Sequence, residues 1–282
     1  MTLDQHFREW LQEDIGRGDQ TTLGLDLGQT IGQGSWVAKA EGVICGLSVA
    51  ERVFKLLAEI MSFPQSMVFN THIAEGARVE AGTIIAELQG PLSVLLTGER
   101  VALNLAMHLS GIATEVQRYV HEIDDLPAQL VDTRKTTPGL RALEKYATRT
   151  GGARNHRMGL DDGVMIKDNH ITAAGGIAQA INKIREVVPY PLSIEIETER
   201  LEQIQEALDY GADIIMLDNM PLPLMKDAVS LIRSQNSRIK IEGSGNVKIE
   251  TIREMALTGV DYISSSAPIT RSPWLDLSMR LH

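Results

Sequence analysis

The chain has 282 residues, 43% hydrophobic, 23% charged and 4% aromatic, proportions that fit a globular protein and exclude a disordered or collagen-like one. Its 27 lysines and arginines against 37 acids leave a formal charge of −10, which argues against nucleic acid or an anionic membrane as partner, since both require a basic face. The single cysteine, Cys45, excludes an internal disulfide and suits a reducing, cytoplasmic setting, and neither a membrane-length apolar run nor a signal-like start is present.

Taken in chain order, Leu3–Gln12 is predicted to be a helix and the following EDIGRGDQTT a loop. Ser35–Ala40 and Gly42–Cys45 are predicted strands, and Ser48–Ile60 a helix. The stretch EGARVEAGTIIAELQGPLSVLL, punctuated by Gly76, Val79, Gly82 and Ile85, reads as β-rich, with its glycines at turns. Its spacing is that of a lipoyl or biotinyl carrier domain, but the hairpin lysine that would carry the cofactor is missing. Gly98–Gly111 is predicted to be part of a long helix.

From about residue 130 the pattern changes. Short apolar runs, at Gln129–Asp132, Val164–Lys167, Leu192–Glu197, Ile214–Leu217, Ile239–Ile241 and Asp261–Ser264, are predicted strands. Between them lie amphipathic stretches, Leu140–Thr150, Ala173–Val188, Arg200–Tyr210, Leu222–Ser234 and Lys248–Thr258, predicted to be helices. Gly211 and Gly259 stand where left-handed helix stops are expected. Such alternation is the signature of repeated βα units around a parallel sheet. Six strands fall short of a full eightfold barrel, and no dinucleotide-type glycine fingerprint follows the first strand, VDTRKTTPG. An incomplete α/β barrel is therefore preferred to an open doubly wound sheet.

In a βα barrel the chemistry collects just past the C-terminal ends of the strands. Those ends supply Asp132, Thr133, Arg134 and Lys135, then Lys167, Asp168 and His170. After them come Glu195 and Glu197, Asp218 and Asn219, Glu242, Ser244 and Gly245, and finally Ser264, Ser265 and Ser266. From Asp132 to His170, eight lysines and arginines outnumber five acids, so a local cationic cleft within an acidic chain points to a small, highly anionic substrate. Arg141, Lys145 and Arg149 fall at i, i+4 and i+8 and read as a solvated helix face. Arg134, Lys135, Arg157 and Lys167 lie at or between strand ends and do not. Glu197 and Asp218 are hard oxygen donors of the kind that hold magnesium with substrate phosphates. The small loops GSGN (Gly243–Asn246) and SSSAP (Ser264–Pro268) suit an anion bound by backbone N–H groups and hydroxyls. Cys45 reads as a small buried thiol. His6, His72, His108, His121 and His282 show no metal-ligand spacing.

The run DTRKTTPGLRALEKYATRTGGARNHRMGLDDGVMIKDNH (Asp132–His170) resembles the quinolinate phosphoribosyltransferase family, also called carboxylating nicotinate-nucleotide pyrophosphorylases. The likeness extends over nearly the whole chain, through EDIGRGDQTT, LTGERVALNLAMHLSGIAT, IEIE, MLDNM, EGSGN and LDLSMR. It implies an N-terminal α/β sandwich domain at residues 1–110, an incomplete six- to seven-stranded TIM-like barrel at residues 111–272, and a tail at 273–282 returning to the first domain. It further implies a homodimer, or a higher assembly built of dimers, in which Arg100 of one subunit completes the site of the other. The reaction implied is quinolinate plus phosphoribosyl pyrophosphate giving nicotinate mononucleotide, pyrophosphate and CO2. Carried over residue by residue, Arg100, Arg134, His156, Arg157 and Lys167 would read the two carboxylates. Lys135 would meet the phosphoribosyl pyrophosphate, Glu197 and Asp218 the ribose hydroxyls and Mg2+, and Thr133 would be a further substrate-binding residue. Ser244, Gly245 and Asn246 with Ser265, Ser266 and Ala267 would hold the 5-phosphate. Lys135, Lys167, Glu197 and Asp218 would be the catalytic set. Two departures stand out: Ala153 where members often have glycine, and a last loop, SSSAPITRS, without the glycine many carry.

Three rival readings remain at this level. A Schiff-base aldolase would use Lys167 as nucleophile. A non-catalytic anion-binding barrel would not need Glu197 and Asp218. A molybdenum-transport-associated paralogue shares the fold, but the complete TTPG and NHR motifs favour quinolinate.

Overall fold

The computed structural model describes residues 2–27, 30–63 and 67–282. The chain forms two units, residues 1–115 together with 272–282, and residues 116–271.

The first unit opens with α1 (Leu3–Ile15), where Thr2 and Gln5 form a reciprocal capping box. The segment expected as a loop is more ordered than that. α1 runs on through Ile15, and Asp19 accepts hydrogen bonds from Thr21 N–H and Thr22 N–H to start α2 (Gln20–Gly24). β1 (Ile31–Ala38), β2 (Gly42–Val43), α3 (Leu47–Ile60), β3 (Val68–Thr71), β4 (Arg78–Val79), β5 (Ile84–Pro91) and α4 (Leu92–His121) follow. The last strand of the chain, β12 (Leu277–Leu281), pairs with β1 in an antiparallel sheet of order β12-β1-β5-β3, and β2 pairs with β4. The core is aromatic, with Trp36 of β1, Phe54 of α3 and Phe69 of β3 meeting at centroid distances of 5.5–6.2 Å, Trp36 edge-on to both phenyl rings. Pro91 ends β5 and LSVLL begins α4 instead of continuing the β-rich stretch. α4 is one continuous helix of 30 residues, so no loop marks the expected boundary after residue 110; the division falls inside the helix.

In the second unit strands and helices alternate: β6 (Gln129–Val131), α5 (Arg141–Thr150), β7 (Val164–Ile166), α6 (Asp168–Ala174), α7 (Ile177–Val187), β8 (Ile194–Thr198), α8 (Leu201–Asp209), β9 (Ile214–Asp218), α9 (Leu222–Gln235), β10 (Lys240–Ser244), α10 (Ile252–Ala256), β11 (Tyr262–Ser264) and α11 (Ala267–Thr270). The six strands form one all-parallel sheet of order β6-β11-β10-β9-β8-β7. β6, β7 and β9 have apolar interiors, as a sheet covered on both faces requires, whereas β8 and β10 carry the buried acids Glu195 and Glu242. β6 and β7 are the two ends of the sheet. Beside β6 lies a single parallel bridge, Val131 to Arg154, with Asp132 N–H donating to Arg154 O and Arg154 N–H to Leu130 O. The barrel is thus incomplete. The amphipathic run expected as one helix at Ala173–Val188 is split into α6 and α7, because Gly175 and Gly176 adopt φ of +91° and +139°. α10 is shorter than its pattern, since Lys248–Thr251 forms a turn closed by the Thr251 side chain.

Candidate active site

Asp132, at the end of β6, organises the mouth of the second unit. Its carboxylate accepts from Lys145 Nζ, from Asn155 Nδ2 (2.7 Å) and from His156 N–H (2.8 Å). Lys145 also donates to His156 O at 3.0 Å, and its side chain is 1% exposed. The expected solvated face of α5 holds at Arg149, which is exposed, but not at Lys145. Lys145 points inward as the buried partner of Asp132, and Arg141 donates to Thr136 Oγ1 (3.0 Å) and Met158 O (3.2 Å). Glu144, also buried, accepts from Thr137 N–H at 2.9 Å. α5 fixes the loop after β6 and the loop that carries His156 and Arg157.

Those loops and the other strand ends enclose a cleft of about 730 Å³. It brings together Thr133, Arg134, Lys135, His156, Arg157, Lys167, Glu197, Asp218, Ser244, Gly245, Asn246, Ser265, Ser266 and Ala267. Arg100 is not among the lining residues; it lies on α4, 59% exposed, with Glu99 at 3.7 Å.

Inside the cleft the charges are already partly matched. Lys167 Nζ donates to Glu197 Oε2 at 2.7 Å. Arg157 Nη1 donates to Gly163 O at 2.9 Å, and burial followed by the neighbouring Arg134 charge pulls its pKa down. His156 Nε2 lies 3.1 Å from Glu195 Oε2 and 3.4 Å from Glu242 Oε2, both carboxylates being buried. Burial alone would lower the His156 pKa, but hydrogen bonds to Glu195 and Glu242 outweigh it and raise it to about 10. Arg157 N–H donates to His156 Nδ1 at 2.8 Å, which opposes a proton there. The charged ring favoured by the two buried anions therefore requires the Arg157 N–H to give up Nδ1. Both ring nitrogens are occupied, so His156 offers the cleft charge more than a free N–H. The Glu195 carboxyl is pushed up, first by burial.

His156, Glu195 and Glu242 also lie close enough together to hold a metal. The Arg157 amide argues against that reading. With Nδ1 accepting, the neutral ring carries its proton on Nε2, the atom a metal would need.

The phosphate-type loops differ from one another. Asn219 N–H donates to Ser244 O (3.0 Å), and Asn246 Nδ2 to Asn219 Oδ1 (3.3 Å), which joins the loop after β9 to the loop after β10. Asn219 Nδ2 donates to Asp218 Oδ2 at 2.7 Å. Gly245 takes φ +101°, and the N–H groups of Gly245 and Asn246 find no protein acceptor among the described residues. In the loop after β11, by contrast, Ser265 N–H donates to Val131 O (3.1 Å) and Ala267 N–H to Ser265 Oγ (3.2 Å).

Two family models cover the chain, the quinolinate phosphoribosyl transferase N-terminal domain over residues 19–110 and its C-terminal domain over residues 112–280. The chain belongs to the quinolinate phosphoribosyltransferase family. It is 58% identical to a probable carboxylating nicotinate-nucleotide pyrophosphorylase of Synechocystis, over 99% of this chain and 92% of that protein. Its identity to the Bacillus subtilis protein of the same name is 43%, over 99% and 93%. Among solved structures, NadC from Streptococcus pyogenes matches with a TM-score of 0.92 at 39% identity, covering 99% of this chain and 96% of that one.

For a quinolinate phosphoribosyltransferase, the Lys167–Glu197 pair counts against the aldolase reading, because a lysine donating to a carboxylate is an ion-pair partner and not a free amine nucleophile. Sequence reasoning placed Glu195 and Glu242 at strand ends without seeing that they converge on His156. It also overlooked Lys248 and Arg271, which line the cleft. The available signal was position: each cation lies just beyond one of the two small loops.

Proposed function

We propose that this chain transfers the phosphoribosyl group of phosphoribosyl pyrophosphate to the ring nitrogen of quinolinate, releasing pyrophosphate and CO2 and yielding nicotinate mononucleotide for de novo NAD synthesis. The observation that carries the reading is the meeting of Arg134, Lys135, His156, Arg157 and Lys167 with Glu197 and Asp218 in one cleft of a chain of this family. Two polyanions must lie side by side there, and the cations offset their repulsion.

The ring nitrogen attacks the anomeric carbon as the bond to pyrophosphate breaks. Positive charge develops on the ribose, which Glu197 or Asp218 stabilises, while Lys135 neutralises the leaving group. Magnesium would enter with the pyrophosphorylated sugar and be held by Glu197 and Asp218, where it would supply charge to the departing pyrophosphate. The donor set suits it: these carboxylates stand on adjacent parallel strands, and one oxygen of each has no hydrogen bond among the described residues. Once the nitrogen is quaternised, the C2–carboxylate bond breaks, its electron pair stays on the ring carbon, and a proton replaces CO2. Lys167 is among the cations available to that carboxylate.

The enzyme would work in the cytoplasm as a homodimer, or as a higher assembly of dimers, with Arg100 of the partner subunit completing the dicarboxylate pocket. The exposure of Arg100 supports this; no described helix is long and apolar enough to cross a membrane.

The test is direct. Purified protein with magnesium, quinolinate and phosphoribosyl pyrophosphate should form nicotinate mononucleotide, and nicotinic acid should form little; absence of the product refutes the reading. Mixing inactive Arg100→Ala and Lys167→Ala chains should restore activity at about a quarter of the sites, as twofold symmetry requires. No recovery would put Arg100 outside the neighbouring site.

A further inference from the structure

The cleft holds two cations that the proposed reaction leaves unassigned. Lys248 lies two residues beyond Asn246, and Arg271 stands one helical turn beyond Ala267, its N–H donating to Ala267 O at 3.0 Å. They therefore flank the two small loops. Three lining cations are already engaged, Lys167 with Glu197, His156 with Glu195 and Glu242, and Arg157 with a backbone carbonyl, while Arg134 and Lys135, which have no side-chain partner among the described residues, are the ones assigned above to the dicarboxylate and the pyrophosphate. For Arg271 and Lys248 no side-chain hydrogen bond or ion pair occurs among the described residues.

The loop beside Arg271 is short of donors. Ser265 N–H is taken by Val131 O and Ala267 N–H by Ser265 Oγ, which leaves Ser266 N–H as the backbone donor of that loop without a protein acceptor among the described residues. A phosphate monoester carries between about −1.5 and −2 charge at neutral pH. Asp218 and Glu242 also line the cleft and repel it. Neutral loop donors do not balance that charge, whereas a guanidinium presents two parallel donors matched to phosphate oxygens.

We propose that Arg271, assisted by Lys248, binds the 5-phosphate of the phosphoribosyl substrate and supplies the positive charge that the last loop lacks. The inference rests on the phosphoribosyltransferase reading and adds to it a residue of the SSSAPITRS segment.

Calorimetry on the full chain with ribose 5-phosphate and, separately, with magnesium pyrophosphate tests it. Arg271→Gln should weaken ribose 5-phosphate binding by roughly tenfold to a hundredfold, the range of a lost charge-assisted contact, and leave pyrophosphate binding unchanged. Arg271→Lys should recover part of the loss, and Lys248→Gln should cost a few-fold. In steady state, Arg271→Gln should raise KM for phosphoribosyl pyrophosphate without raising KM for quinolinate. If wild type and Arg271→Gln bind ribose 5-phosphate equally, or if pyrophosphate binding falls instead, the assignment of Arg271 is wrong while the reaction stands. Wild-type protein that binds neither probe and makes no nicotinate mononucleotide overturns the reaction and the assignment together.

Discussion

Lys167 Nζ donates to Glu197 Oε2 at 2.7 Å, so a cation suited to the dicarboxylate is bonded to a carboxylate suited to the sugar. On the proposed roles, seating either substrate would part the pair and leave the other group available. A half-exposed ion pair is worth about 0.2–1 kcal/mol, so the restraint on each substrate alone is small. Glu197→Gln should therefore bind quinolinate alone about two- to fivefold more tightly than wild type in calorimetry, while turnover collapses. Weaker quinolinate binding in that variant would mean that the pair restrains nothing.

The buried pair of Lys145 and Asp132 has a larger expected effect. Lys145→Met leaves Asp132 charged and without its lysine in a site 2% exposed, a loss of about 3–5 kcal/mol. For a unit of this size that lowers Tm by roughly 10 °C. The double variant Lys145→Met with Asp132→Leu should be less destabilised than the two single losses added together, because no orphan charge remains. Strict additivity in chemical denaturation would show that the pair is not coupled.

His156 sets a pH dependence. Its pKa is raised in the folded chain from 6.5 to about 10, so the stability it contributes is complete below pH 6.5, declines as pH rises, and is gone above about 10. The Tm difference between wild type and His156→Gln should shrink steadily from pH 6 to pH 10. Quinolinate affinity should weaken over the upper part of the same window as the ring loses its charge. A Tm gap that widens with pH would mean that Glu195 and Glu242 do not hold the ring protonated.

Gly245 admits no side chain. At φ +101° an added Cβ would lie 2.2 Å from Asn219 Oδ1 and 2.8 Å from Asn219 N, so Gly245→Ala has to displace the loop after β9 or the loop after β10. The expected result is a KM for phosphoribosyl pyrophosphate raised about tenfold or more, as for a lost phosphate contact, with KM for quinolinate nearly unchanged. Equal rises in both would assign the loop a general structural role.

The alternation of strands and helices, the short apolar strands and the polar strand ends were legible because each has a local cause: an apolar run, a glycine stop, an ionisable residue one step beyond. Lys145 was misread because its spacing on α5 is that of a solvated face, and nothing local reveals that Asp132, 13 residues earlier, draws it inward. The split of Ala173–Val188 was written in Gly175 and Gly176, but the amphipathic period masked it. The His156 cluster was invisible for another reason: Glu195 and Glu242 are 47 residues apart and meet only because β8, β9 and β10 run side by side. The Ser265 N–H is consumed by Val131 O, a tertiary contact that no motif encodes, while the Ala267 N–H turns back locally onto Ser265 Oγ.

The sheet's open seam has one more consequence. A barrel stitched all the way round must tear ladder bonds to widen, but here β6 and β7 share none, and the chain between them is tied to β6 around one residue, Arg154. His156 and Arg157 ride on that wall, which Asp132 and Lys145 hold by side chains where the five other junctions are laced by backbone. The position of these two site residues is therefore set by one buried ion pair, and a single substitution there can shift them while the strands keep their register.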